Sequence, residues 1–303
     1  MDRWGIIYSP KSGIKRTHRR WEEIRLLLEE RGVRYDFVQS EGSGSERRLA
    51  AMLAQNGYET IVMVGGDIAL SHAVNGIASV DVGLLSKLRL GVIPNGHVND
   101  FASYWGLRDD DPRLSVETLV GGRVRRVDLG VVEGEAGRQF FLNCVNVGLV
   151  ASIADLRHKT YRFWGLSSLS YLSSMFLLLF QRMETRMKLA VNHETIEERL
   201  MSVCISNCRG YGQTPNAVPY NGMLDVSVIS CPQVRQLFVG LSLLQQRRFL
   251  AFRHVRPFRS GKPVRVLETG QARVSVDGLV CPQLKAPFRV SVQREAVNFI
   301  IPA

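Results

Sequence analysis

Cysteine is scarce. The 303 residues hold only Cys144, Cys204, Cys208, Cys231 and Cys281, with no CxxC pair and no zinc-finger spacing. This excludes a disulfide framework and a structural zinc module. An odd, scattered set points to reduced thiols in a cytosolic protein. The opening residues, Met1-Asp2-Arg3-Trp4 and a few apolar ones, lack the apolar core of a signal peptide. Long hydrophobic runs are also missing, save one uncharged stretch from Phe163 to Phe180 that as a helix would reach about 27 Å. Five serines and a glycine dilute it. A buried or membrane-facing helix is therefore expected rather than a span, with Arg157, Lys159, Arg162 and Arg182 beside it to suit anionic lipid. Acidic residues are absent between Asp225 and Glu268, where eight basic ones occur.

What is present is ordinary globular material, 45% hydrophobic and 22% charged, enough for two domains with cores that need no staples. The 39 basic against 28 acidic side chains leave a charge of +11, which favours phosphate-bearing partners or an anionic membrane surface. Nucleic acid fits the charge, but no recognition module is visible, so no nucleic-acid partner is expected.

Over residues 1–125, apolar runs at Trp4–Tyr8, Tyr35–Val38, Thr60–Val64 and Leu90–Ile93 alternate with helical periodicity. Repeated βα units predict a doubly wound parallel sheet, where ligands sit at the carboxyl ends of the strands. From about residue 126 the period becomes two. Phe140–Val147, Lys188–Val191, Met201–Ile205, Leu224–Ile229, Val264–Leu267, Ala272–Val276 and Phe288–Val292 predict a mainly antiparallel β-sandwich, interrupted by helical stretches at 152–181 and 233–252. The expected division is an α/β nucleotide-binding domain, 1–125, to which 293–303 can return, and a β-sandwich lipid-binding domain, 126–292.

Three polar, glycine-bearing loops follow three of the N-terminal strands: Ser9-Pro10-Lys11-Ser12-Gly13, Gly65-Gly66-Asp67 and Pro94-Asn95-Gly96-His97-Val98-Asn99-Asp100. Glycines at a strand end let a ligand approach the backbone, and the helix that follows points free N–H groups at phosphate. Each loop alone reads equally well as a turn, with Asp67 as an N-cap. Converging, the three make an anion site.

The order of motifs resembles the diacylglycerol kinase-like lipid kinases, a family that includes sphingosine kinases and bacterial lipid kinases. The resemblance runs over nearly the whole chain in seven segments: Ser9–Gly13; Gly65-Gly66-Asp67-Ile68-Ala69 with Asn75-Gly76; Pro94–Ala102; Arg125–Gly130; Phe141-Leu142-Asn143 with Gly148; Thr214–Val226; and Val276-Asp277-Gly278. It implies ATP-dependent phosphoryl transfer to a lipid hydroxyl with magnesium, by an enzyme docked peripherally on the inner face of a membrane. Asp277 would be the general base and Asp67 a second catalytic carboxylate. Ser9, Lys11, Ser40, Gly65, Gly66, Asp67, Ala69, Gly96, His97, Asn99 and Asp100 would hold nucleotide. Asn221 and Asp225 would serve the metal. A homodimer stays open.

The chain departs from the family pattern in its loops. Ile68 replaces a glycine, and costs about 1–2 kcal/mol if that position needs φ > 0. Ala69 and His97 replace threonines, Val98 a glycine, His72 a glutamate, Asn221 an aspartate and Leu279 a glutamate. Either the site is rebuilt, with His72 and His97 supplying the lost donors, or nucleotide binding has decayed and a lipid-binding relative remains. Outside the resemblance, Asp277-Gly278 is an ordinary hairpin dipeptide. The basic stretch around Leu237, Leu241, Leu244 and Phe252 is either a solvated face or an amphipathic helix for anionic headgroups.

Overall fold

The computed structural model describes residues 3–10, 17–42, 44–153 and 184–303, so Lys11 and the apolar stretch 163–180 lie outside the described residues. The chain forms two compact units, one of residues 1–129 and 294–303, the other of 130–293.

In the first unit the four apolar runs become β1 (Trp4–Tyr8), β2 (Tyr35–Gln39), β3 (Thr60–Gly65) and β4 (Arg89–Pro94). They lie parallel in the order β2-β1-β3-β4, and residues 298–299 of the last strand pair parallel with β4. β3 is buried on both faces, so it carries no polar alternation. Helices cover both faces. Ile6 and Tyr8 pack with Ile24 and Leu28 of α1 (Thr17–Glu30) and with Val116 and Leu119 of α5 (Pro112–Gly121). On the opposite face Gly5 admits Leu53 of α2 (Ser45–Gln55), since a Cβ there would lie 2.8 Å from its Cδ1. α2 crosses α3 (Asp67–Val80) at Gly76, where a Cβ would meet the Arg47 carbonyl oxygen at 2.1 Å. A fifth helix, α4 (Asp100–Tyr104), is a single turn after β4.

The second unit is antiparallel, and its core gathers Val145, Leu189, Val203, Ile205, Val226, Val266, Val276 and Val290. Central to it is β9 (Glu194–Ser206), flanked by β8 (Thr185–Val191), β7 (Cys144–Gly148) and β10 (Leu224–Ser230). The expected strand 140–147 is in fact two, β6 (Gly137–Phe141) and β7, broken at Leu142-Asn143. The expected helix over 233–252 ends sooner, as α6 (Val234–Gln245). Among the described residues no helix is long and apolar enough to cross a membrane.

Candidate functional site

At the carboxyl edge of the parallel sheet the strand-end loops are stitched together through the main chain. The N–H of Ser9 donates to Val64 O at 3.0 Å, that of Ser40 to Tyr8 O at 2.8 Å, and that of Asn95 to Gly65 O at 3.0 Å. Gly66 and Gly96 then touch backbone to backbone, because a Cβ on Gly96 would stand 2.4 Å from Gly66 Cα. Asn99 closes its own loop, accepting from Gly96 N at 3.0 Å and donating to Gly96 O at 2.7 Å.

Asp67 is buried at the start of α3, and its carboxylate accepts from the N–H groups of Asp100 (2.9 Å) and Phe101 (3.3 Å). Its own N–H donates to Val98 O at 3.0 Å. The side chain therefore works as a cap for the first turn of α4 and fixes the loop 94–100 against the loop 65–67. The N–H groups of Ile68 and Ala69 lie in the first turn of α3, where no helical carbonyl reaches them. Ile68 has helical, not positive, φ, so the strain attached to a β-branched residue there does not arise. Its side chain and that of His97 are exposed, whereas Ala69 is buried against Gly65.

Sequence reasoning missed Glu46. This carboxylate is buried in the first turn of α2 and collects Ser9 Oγ (2.8 Å), Ser40 Oγ (2.7 Å), Gly44 N (3.0 Å) and His72 Nδ1 (3.1 Å). Ser9 and Ser40 are themselves buried, so their hydroxyls tie the loops after β1 and β2 to α2. His72 faces the same carboxylate from α3. Burial pushes the Glu46 carboxyl up, but hydrogen bonds from His72, Ser40, its own main chain and Ser9 outweigh this and bring it down to about 2.

A depressed carboxyl stabilises the fold above its unfolded pKa, and loses that contribution as pH falls toward the folded value. Glu46→Gln is therefore expected to cost about 3 kcal/mol at neutral pH. Urea unfolding should show the gap to the parent narrowing between about pH 4.3 and about pH 2. A gap that does not change with pH would contradict the assignment.

In the second unit Asp277 and Gly278, with φ of 47° and 81°, form the two-residue turn between β13 (Val274–Val276) and β14 (Leu279–Val280). The turn is not ordinary in its contacts. The buried Asp277 carboxylate accepts from Leu142 N at 2.9 Å, Asn143 N at 2.8 Å and Cys144 N at 3.2 Å. These bonds take the amides that would otherwise continue one strand through 140–147, which explains its break. Asp225 lies on β10 with Oδ1 3.0 Å from Arg259 Nε and 2.9 Å from its Nη2. Its buried Oδ2 has no hydrogen-bond partner among the described residues. Burial raises the Asp225 carboxyl, and Arg259 opposes the rise only in part. Asn221 is exposed and accepts from Met223 N at 2.9 Å. Among the described residues no group of three His, Cys, Asp or Glu is placed to hold a metal.

The structure thus brings Ser9, Ser40, Gly65, Gly66, Asp67, Ala69, Gly96, His97, Asn99 and Asp100 to one edge of the first unit. Asp277, Asn221 and Asp225 belong to the second.

A diacylglycerol kinase catalytic domain model matches residues 3–132, and a YegS C-terminal NAD kinase beta sandwich-like domain model matches 143–301. The chain is 23% identical over 283 residues to a diacylglycerol kinase of Bacillus subtilis, covering 92% of this chain and 90% of that one. It is 27% identical over 208 residues to one of Mycobacterium tuberculosis, covering 66% and 64%. A solved structure of a putative diacylglycerol kinase from Bacillus anthracis superposes with a TM-score of 0.76 at 18% identity, over 99% of this chain and 97% of that one. Two matched domains in the same order and a shared fold over the full length leave one conclusion: this chain belongs to the diacylglycerol kinase-like family of lipid kinases.

Proposed function

We propose that the protein transfers the γ-phosphate of ATP to the hydroxyl of a membrane lipid, of the diacylglycerol or sphingoid type. The observation that carries this reading is the contact between Gly66 and Gly96, together with the helix N-terminus of α3 beside it, where Ile68 is exposed. The missing side chains let the two loops lie against each other at the N-terminus of α3, whose first-turn N–H groups favour phosphate oxygens, as phosphoryl transfer requires for positioning and charge neutralisation. Asp67 keeps the two loops in register. Magnesium binds through one or two carboxylates with the remaining ligands from phosphate and water, and supplies charge neutralisation. Asp225 Oδ2 fits one such ligand position. Asn221 fits less well, its oxygen being engaged by Met223. Asp277 is assigned to the reaction as the carboxylate that receives the hydroxyl proton, held in place by the amides of 142–144.

The test is transfer of label from γ-labelled ATP to diacylglycerol in mixed micelles. Labelled phosphatidic acid is the expected product, together with a rise in melting temperature on adding Mg-ATP. A protein that labels no lipid and melts alike with and without Mg-ATP would instead be a lipid-binding relative that has lost the reaction.

A further inference from the structure

The basic stretch around α6 is the largest feature that the reaction leaves unused. Between Asp225 and Glu268 the chain has eight basic residues and no acidic one. Two of the eight are paired, Arg256 with Glu198 and Arg259 with Asp225. Arg235, Arg247, Arg248 and Arg253 are exposed and have no acidic partner among the described residues.

The helix itself is two-sided. Leu243 and Leu244 pack with Phe249, Phe252 and Ile229, and Gly240 sits so close to Phe252 that a Cβ would lie 2.9 Å from its ring. Leu244 and Phe252, two of the four apolar residues that an amphipathic reading of the stretch would set against lipid, are thus turned inward. The outer side carries Arg235, Phe238, Val239 and Ser242 at i, i+3, i+4 and i+7. Phe238 is 64% and Val239 54% exposed, more than any other large apolar side chain among the described residues.

We infer that this outer face is where the protein docks on an anionic lipid bilayer, with Phe238 and Val239 entering the acyl boundary and the four arginines lying at the headgroups. The inference rests on the lipid-kinase reading only for its biological purpose; the surface argues for itself. An exposed aromatic and aliphatic pair with Arg235 on the same helix face, in a stretch whose other exposed arginines lack acidic partners among the described residues, matches a layer that is apolar beneath and negative above. A nucleic acid has no place for Val239. A second copy would set two groups of four arginines against each other.

Sedimentation with vesicles, without nucleotide, tests the inference. The parent chain is expected to bind phosphatidylcholine–phosphatidylglycerol vesicles, to ignore pure phosphatidylcholine, and to weaken as salt rises from about 0.1 M to about 1 M. Phe238→Ala with Val239→Ala should lower the partition about tenfold and keep its salt dependence. Changing the four arginines to glutamine should abolish the preference for anionic vesicles, at about fivefold per residue. Equal binding to neutral vesicles would overturn the proposal. So would an unchanged partition in the Phe238/Val239 variant, or a dimer that this variant dissolves while vesicles bind nothing. Micelle-dispersed lipid should be phosphorylated equally by all these variants. Failure of vesicle binding with micelle activity intact removes the docking face alone, and the reverse result removes the kinase reading alone.

Discussion

Gly96→Ala is expected to reduce phosphoryl transfer at least a hundredfold while leaving a folded protein. The added methyl would stand 2.4 Å from Gly66 Cα, 2.8 Å from Gly66 N and 3.1 Å from Asn99 Oδ1. Ordinary contact begins at 3.4 Å, about 1 Å beyond the first of these distances, and two of these atoms are main chain, which cannot rotate away. The backbone at Gly96 does not have positive φ, so alanine meets no conformational barrier, and the whole effect is separation of the two loops. A misplacement of about 1 Å in a positioning site costs on the order of a hundredfold, whereas overpacking of this size costs about 1–3 kcal/mol of stability. Gly66→Ala should behave alike, since its methyl would meet Val98 O at 2.8 Å. Gly121→Ala at the end of α5 is the control, with nothing within 4 Å, and should melt at or above the parent temperature. Steady-state kinetics and thermal melts on the three variants decide the matter. Full activity in Gly96→Ala would mean that the paired loops are not the site.

Much of this could be read in the sequence. Continuous apolar runs such as Thr60–Val64 announce strands buried on both faces, and glycine clusters after them announce the edge where the strand-end loops meet. What stayed hidden depends on partners far apart in the chain. Glu46 gives no local sign beyond an acid in a first helical turn, because its ligands Ser9 and His72 lie 37 and 26 residues away. The break in the strand predicted over 140–147 is caused by a carboxylate about 134 residues further on. The cost foreseen for Ile68 rested on a left-handed backbone, and position 68 proves to be the second residue of a helix. For α6 the apolar spacing was visible, but which leucines face inward was settled only by Phe249 and Phe252 after the helix.

Asp277→Ala should be the most damaging single substitution in the second unit, in stability as well as activity. The carboxylate is 1% exposed and is the acceptor for three consecutive main-chain amides, those of Leu142, Asn143 and Cys144. Removing it leaves buried donors without acceptors, at about 1–3 kcal/mol each before water enters the space. A net loss of about 3 kcal/mol or more follows, against a total stability of about 5–15 kcal/mol for a domain. Alanine at φ 47° adds about 1 kcal/mol of backbone strain that aspartate and asparagine tolerate better. Asp277→Asn separates the two roles assigned to this residue. Its amide keeps one oxygen facing the 142–144 turn and suits the left-handed backbone, so the protein should remain folded with a smaller loss, about 1–2 kcal/mol. An amide cannot take the lipid hydroxyl's proton, so kcat should fall a hundredfold or more with KM for ATP little changed. If the asparagine variant instead keeps near-parent kcat once folded, Asp277 is an anchor for the 142–144 turn, and the proton acceptor must be sought elsewhere.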